Sequence, residues 1–458
     1  MSSHQVAILG GGISGLSAAY YLARHGIDCV LVEKETRTGG LIRTEQLENS
    51  QLEAGPDSFL AAKPAVTELA SEIAGLPERI ISSNDAARRV FIVRNGRLVP
   101  LPSGMSMMVP GELRPALVSP LFSLPTRLRF LTERFRQPQQ RASDISVGEL
   151  VRDHFGDELL ESVADPLLAG VYGGNAASLS ARSVLPRFVE YERRFGSLIR
   201  GVQHEKKSPT AGSLFRSFSG GMQDLIDALA TRTAASLLTG REARAVYRDG
   251  NCWRIQLGGE TFAAEHLIVA LPAHRAALLL EASAPQLAAE LAAIPYSSAI
   301  LTNLLYNSAR LENPLEGFGF LVPQRERRTI AAATFVNRKF PTRIAPGLFA
   351  IRAFIVGAEA VRLRAAADNE LVRLAENDLH RLSGISSPAQ TALVHRWPDS
   401  MPQYVVGHAH RVDRIRQLSA GLPSFHLIGN AYEGVGIPDC VRLARSAAEN
   451  IYSDIKSK

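Results

Sequence analysis

The run Gly10-Gly11-Gly12-Ile13-Ser14-Gly15 constrains this chain more than any other feature. Gln5–Leu9, just before it, is a short apolar run ending at glycines, the pattern of a buried parallel strand. From Ile13 to His25, Leu16, Ala19, Tyr20 and Ala23 recur on one helical face, and Gly26 supplies a C-cap. Cys29–Val32 is a second apolar strand, with Glu33 at its end. Strand, glycine turn, helix and acid-ended strand together make a dinucleotide-binding unit. Gly10 permits the tight turn, Gly12 lets backbone approach a pyrophosphate, and Gly15 lets helix and strand pack closely. The helix N-terminus then faces the anion. Glu33 can accept hydrogen bonds from a ribose diol, which argues against a 2′-phosphate and so against NADP.

FAD and NAD share this unit, so the choice between them rests on the next two segments of the chain. Gly39-Gly40-Leu41-Ile42-Arg43-Thr44 comes shortly after the acid, then Glu53-Ala54-Gly55-Pro56-Asp57-Ser58-Phe59. A Gly-Gly pair in that place is typical of proteins that bind FAD in extended form; the alternative, read alone, is a hairpin turn. The length of 458 residues allows two or three domains at ~150 residues each. Cys29, Cys252 and Cys440 lie far apart, with no metal-ligand spacing, so no metal is expected and the chain reads as reduced and intracellular. The formal charge of +6 suits an anionic partner: a phosphate-bearing cofactor, a carboxylated substrate or an anionic membrane surface. No zinc finger, basic tract or RNP-type motif points to nucleic acid. The N-terminus lacks the basic n-region of a signal peptide, and no apolar run reaches the ~18 residues of a membrane span.

Residues 98–126 carry only Glu112 and Arg114 as charges, with many prolines and Met105, Met107 and Met108; Arg127, Arg129, Arg134, Arg136 and Arg141 come next. Apolar, adaptable surface beside a basic rim suits a membrane interface or a greasy substrate channel, and equally an irregular packed segment. Ser146-Val147-Gly148-Glu149 reads as a capping box opening a helix with an apolar stripe. Asp165–Asn175 ends in a glycine-rich turn. Strands are expected at Arg244–Tyr247, Trp253–Leu257 and His266–Ala270. A separate strand-rich region spans Leu301–Tyr306, Gly319–Leu321, Ile330–Phe335 and Leu348–Phe354, then a helix at Glu370–Leu382. Phe425–Ile428, the loop Gly429–Asp439 and a helix from Cys440 repeat the strand, glycine loop and helix pattern at the C-terminus.

Together these segments resemble the FAD-dependent porphyrinogen oxidases, within the wider monoamine oxidase and phytoene desaturase superfamily. The carriers are GGGISG at 10–15, the glycines at 39–40, GPDSF at 55–59, DPLLAGVYGGN at 165–175, PLEGFGFLVP at 314–323, RWPDSMPQYVVGH at 396–408 and GNAYEGVGIPDC at 429–440. The resemblance implies an α/β (α+β overall) architecture: a Rossmann-like FAD domain made of 1–80, 218–290 and 395–458, a mixed-sheet substrate domain made of 81–97, 179–217 and 291–394, and a helical, membrane-facing lobe at 98–178. It implies that Gly10, Gly11, Gly12, Ile13, Ser14, Gly15, Glu33 and Lys34 hold the ADP half of FAD. Gly40, Gly55, Pro56, Asp57 and Ser58 would line the flavin side, Ala243 would meet the adenine, and Trp397, Val435, Gly436 and Ile437 would close over the isoalloxazine. For substrate, Gly170 and Val171 match a loop that approaches the macrocycle, Phe335 an aromatic packed on a pyrrole, and Lys63 a basic residue near the propionates.

The resemblance implies six-electron oxidation of a porphyrinogen to a porphyrin in heme biosynthesis, with FAD as cofactor, O2 as acceptor and H2O2 released. Val90 stands near where the plant and animal proteins carry a propionate-binding Arg, while GPDSF, Lys63 and EGVGIPDC lean to the bacterial coproporphyrinogen-type branch; both substrates stay open. No catalytic side chain stands out, since the flavin carries the chemistry, and Asp57 is the nearest ionisable candidate. Two other readings stay open: another amine-oxidase or desaturase-type enzyme, and a non-catalytic member that keeps the fold for binding. The expected location is cytoplasmic, with peripheral membrane contact through 98–141 and a ferrochelatase contact suggested by pathway alone. Oligomeric state is not legible.

Overall fold

A computed structural model of the chain describes residues 3–205, 213–233, 235–311 and 316–457. Pro314 and Leu315 of the PLEGFGFLVP segment lie outside the described residues.

Strand β1 (Ser3–Leu9) is flanked in parallel by β2 (Cys29–Val32) and by β3 (Glu260–Val269). Helix α1 (Ile13–Arg24) crosses between β1 and β2, as a parallel pair requires. Ser236–Leu238 extends the sheet beyond β2, and Phe425–Leu427 pairs in parallel with the last residues of β3. The C-terminal segment thus returns to the sheet that the N-terminus begins. The first half of β3 also pairs antiparallel with Cys252–Leu257, which pairs with Ala245–Asp249. These match the three strands expected there, with β3 longer than its apolar run suggested. Val6 and Ile8 pack with α1 and the C-terminal helix Ile437–Lys456, while Ala7 and Leu9 pack with the helices Ala273–Leu280 and Pro285–Ala292. Burial on both faces explains why β1 reads as a continuous apolar run.

The helical lobe includes α2 (Leu124–Glu133), α3 (Val147–Phe155), α4 (Asp165–Tyr172), α5 (Pro186–Phe195) and α6 (Leu198–Glu205). The capping box at α3 is present: Ser146 Oγ accepts from Glu149 N and Glu149 accepts from Ser146 N. Phe122, Phe130, Val151, Phe155, Phe188 and Leu198 share one core. Helices α5 and α6, expected with the substrate sheet, therefore pack within the lobe.

The second large sheet is mixed, in the order Thr391–Pro402, Tyr296–Asn307, Leu348–Val356, Ala332–Phe335, Gly319–Leu321, Val90–Arg94, Arg97–Pro100. One face packs on the helix Asp368–Ser383 through Leu371, Ala375, Leu379 and Leu382. The other carries a row across neighbouring strands: Leu393, Asn303, Arg352, Thr334, Gly319 and Val90. The edge strand Thr391–Pro402 was not among the strands expected from sequence; it contains Pro398, and an edge tolerates proline.

Phe335 lies on the helix-covered face, 1% exposed between Phe320 and Phe349 with ring centroids 6.1 Å from each. This placement corrects the expectation of an aromatic packed on a pyrrole, because strand alternation turns Phe335 away from Thr334 and Arg352. Phe335→Ala should lower stability by about 3–5 kcal/mol, read as a shift in the urea unfolding midpoint, with little change in substrate KM.

Candidate functional site

The glycine loop leaves β1 and enters α1 with no side-chain cap at Gly12 and no acid in the first turn. The N–H groups of that turn are free to meet an anion. A Cβ on Gly15 would sit 1.9 Å from Gly10 O, so only glycine lets α1 lie this close to β1. A Cβ on Gly12 would meet nothing within 4 Å. That open space is a cradle at a helix N-terminus and fits a pyrophosphate. Glu33 Oε2 accepts from Gly11 N at 2.7 Å and Oε1 from Glu35 N at 2.9 Å, which fixes the carboxylate beside the loop. Gly39 N donates to Gly11 O at 2.7 Å, so the Gly39-Gly40 pair packs backbone to backbone on the cradle. Arg37, absent from the residues expected at the site, braces this second loop by donating to Thr38 O, Ile42 O and Gly40 O. Its place shortly before the Gly-Gly pair was the available signal. Lys34 is exposed and pairs with Glu35 at 3.6 Å. Ala243 is partly buried beside the core under the sheet. Ser14 is buried in the first turn of α1, and Ile13 is half-buried.

The segment 53–58 runs between the two sheets. Asn303 Nδ2 donates to Glu53 O at 3.0 Å, Trp397 Nε1 to Ala54 O at 2.6 Å, and Arg352 to Gly55 O. Asp57 accepts from Lys339 Nζ at 2.9 and 3.0 Å and pairs with Arg352 Nη1 at 3.0 Å; Ser58 Oγ donates to it at 2.7 Å. Glu53 pairs with Arg343 at 3.0 Å. Burial alone would raise the Asp57 carboxyl, but Lys339 and Arg352 outweigh it and hold the group well below the usual carboxylate range. Asp57 is therefore a fixed anion at neutral pH. Lys339, Arg343 and Arg352 carry no motif, and only the fold brings them to this segment.

At the C-terminal loop, Tyr404 Oη donates to Asn430 O at 2.7 Å and accepts from Gly434 N at 2.9 Å. A Cβ on Gly434 would meet Asp439 Cγ at 2.5 Å, with φ at +112°, so the loop folds tightly on the start of the C-terminal helix. Val435 and Gly436 are half-buried and Ile437 is buried. Lys63 Nζ reaches Asp439 Oδ2 at 2.6 Å and Oδ1 at 2.9 Å. Lys63 keeps 47% side-chain exposure, so the charge pair lies at a rim that a second anion can reach. Gly170 and Val171 lie in the last turn of α4 rather than in a loop, which corrects that expectation; the left-handed turn begins at Gly173. Val171 is 57% exposed, and a Cβ on Gly170 would lie 3.7 Å from Leu321 of the second sheet. Val90 lies on the same sheet face as Thr334 and Arg352. The partly buried Phe354, beneath the Arg352 guanidinium at 5.1 Å, is an aromatic on that face, as is Trp397.

An open cradle at a helix N-terminus, beside an acid that ends the second strand and facing a separate sheet, fits a dinucleotide-dependent oxidoreductase. The description "Flavin containing amine oxidoreductase" fits residues 13–452. The chain is 30% identical to coproporphyrinogen III oxidase of Bacillus subtilis (strain 168), over 97% of this chain and 97% of that one. It is 33% identical to protoporphyrinogen oxidase of Bos taurus, over 97% and 98%. The solved structure of a candidate protoporphyrinogen oxidase from Exiguobacterium sp. 255-15 superposes with a TM-score of 0.87 at 30% identity, covering 99% of this chain and 100% of that chain. The chain belongs to the flavin-containing amine oxidoreductase family, and within it to the porphyrinogen oxidases.

Two variants separate the cradle's roles. Gly12→Val should fold with a near-native thermal midpoint yet purify without yellow flavin absorbance, since the new side chain fills only the cradle. Gly15→Val should lose stability itself, because its Cβ meets backbone. Asp57→Asn should cost about 3–5 kcal/mol, as expected when one partner of a buried ion pair is removed, read by chemical denaturation.

Proposed function

We propose that the protein oxidises coproporphyrinogen III to coproporphyrin III, in preference to protoporphyrinogen IX, with FAD as cofactor and O2 as final acceptor. What carries this reading is end-to-end similarity to porphyrinogen oxidases in a chain whose nucleotide cradle is intact. Bound FAD supplies hydride acceptance at N5 and return of the electrons to O2, so three rounds convert the macrocycle and release three H2O2. Gly10–Gly15 and the α1 N-terminus hold the pyrophosphate, and Glu33 the adenosine ribose. Gly55–Ser58, Trp397 and Val435–Ile437 shape the flavin end, held still by the donors from the second sheet. Asp57, ionised and shared between two cations, keeps no proton to give and little basicity to use; it positions the segment. The macrocycle is met by the exposed Val171 end of α4, beside the sheet face of Thr334, Phe354 and Val90. Without an Arg at Val90, carboxylates are met at the rim by Lys63, and this favours the substrate with more of them.

Fluorescence assays on both porphyrinogens test this. A higher kcat/KM on coproporphyrinogen III is expected; equal or reversed preference overturns the substrate choice, and no porphyrin from either overturns the reading. Lys63→Met should raise KM for coproporphyrinogen III about tenfold, the value of one charge-assisted contact of roughly 1.5 kcal/mol.

A second reading concerns α2. Leu124, Leu128 and Leu131 recur on its outer face with 67%, 53% and 40% exposure, followed by Phe135 just past its end at 75%, with Val118 nearby at 71%. Among the described residues no helix is long and apolar enough to cross a membrane. We propose that this stripe, with Arg129, Arg134 and Arg136, rests on an anionic membrane surface. Cosedimentation with phosphatidylglycerol vesicles should fall several-fold in Leu128→Glu/Phe135→Glu, and failure of the parent protein to sediment overturns it.

A further inference from the structure

Away from the flavin site, the lobe holds a fully buried charged cluster. The side chain of His154, on α3, has no exposed surface. Its Nδ1 lies 2.7 Å from Glu133 Oε1, at the end of α2, and its Nε2 lies 3.1 Å from Glu192 Oε1, on α5. Both carboxylates also accept from other donors. Glu133 accepts from Ser197 Oγ at 2.6 Å, Leu198 N at 2.7 Å and Ile199 N at 3.4 Å, capping α6. Glu192 accepts from Arg141 Nε at 2.9 Å and Nη2 at 2.7 Å. A neutral imidazole has one N–H and one lone pair, and the lone pair would face a carboxylate oxygen. Two carboxylates on two ring nitrogens require both to donate.

We propose that His154 is a buried imidazolium and that it works as a pH-sensitive latch, holding α2 and its exposed apolar stripe onto α3, α5 and α6. The other charges facing it are Arg141 and Asp153, paired at 2.8 Å, and Arg136 beyond the end of α2. Burial and Arg136 disfavour the cation. The hydrogen bonds to Glu133 and Glu192 outweigh them, so the His154 pKa lies above its ordinary value. Glu192 is pushed down to about 2; burial opposes this, and His154 and Arg141 prevail. The signs give a window. The His154 contribution is complete below its unfolded value near ~6.5 and is lost as pH rises through the raised folded value. The Glu192 contribution is present above its unfolded value and is lost as pH falls toward 2. The latch holds at neutral pH and releases α2 on the alkaline side. Loss of the proton leaves one N–H still donating to one carboxylate and turns a bare lone pair toward the other, so one of the two attractive contacts becomes repulsive and the two carboxylates lose the cation between them. Pocket walls at Arg141 and Glu192 line a cavity of about 210 Å³, which brings water close to the Glu192 side for proton exchange.

The test uses FAD-loaded enzyme labelled with 15N-histidine. Both His154 ring nitrogens should carry protons at pH 7, assigned by loss of the signal in His154→Gln. One protonated and one bare nitrogen overturns the proposal. Hydrogen exchange across 124–135, corrected for intrinsic rates, should rise at least tenfold from pH 7 to pH 10, and His154→Leu should abolish that pH dependence. Unchanged exchange in the parent protein, or the same rise in His154→Leu, overturns the latch. If His154→Leu does not fold, the parent's nitrogen signals and exchange profile decide.

Discussion

The placement of one sheet against the other depends on the segment 53–58. Three consecutive carbonyls, of Glu53, Ala54 and Gly55, each receive a donor from the second sheet, and the Asp57 carboxylate then takes Lys339 and Arg352. A buried backbone segment must satisfy its polar groups, and the donors to these three carbonyls come from residues 250, 343 and 297 positions away. A charged pair of this kind is strongly destabilising when one member is lost, though it adds little over apolar packing. Its contribution is registry: the nucleotide sheet and the opposed sheet face meet in one arrangement.

The cradle is the complementary constraint. Its glycines do two different things, and the structure separates them. Gly15 is needed by the protein itself, because its absent side chain is what allows α1 to approach β1. Gly12 is not needed by the protein, since the space beside it is empty of protein atoms. Room of this kind at a helix N-terminus, beside the acid that ends β2, suits a pyrophosphate, and that setting links the loop to FAD.

The lobe obeys other rules. Its core is aromatic and aliphatic, yet at its centre lies a cluster of two carboxylates, an imidazole and a guanidinium that joins four chain segments. Expectation from sequence dealt with residues 98–141 as composition and missed the cluster, because Glu133, Arg141, His154 and Glu192 share no local spacing. It also put α5 and α6 elsewhere, since an amphipathic stripe says that a helix has an apolar face and not what covers it.

Local chemistry determined much of this protein in advance. The β1–α1–β2 unit, the capping box at Ser146, the glycine loop at 429–436 and most strands of the second sheet were legible, because each depends on short-range periodicity, turn chemistry or a fixed glycine spacing. A strand ending at Phe335 was legible too, but which of its faces met the helix was not, and the resemblance alone assigned Phe335 to the substrate. The partners of Asp57, the pairing of Lys63 with Asp439 and the buried setting of His154 were decided only in three dimensions. Each joins residues far apart in the chain through Coulomb and hydrogen-bond contacts, and such contacts leave no period in a sequence.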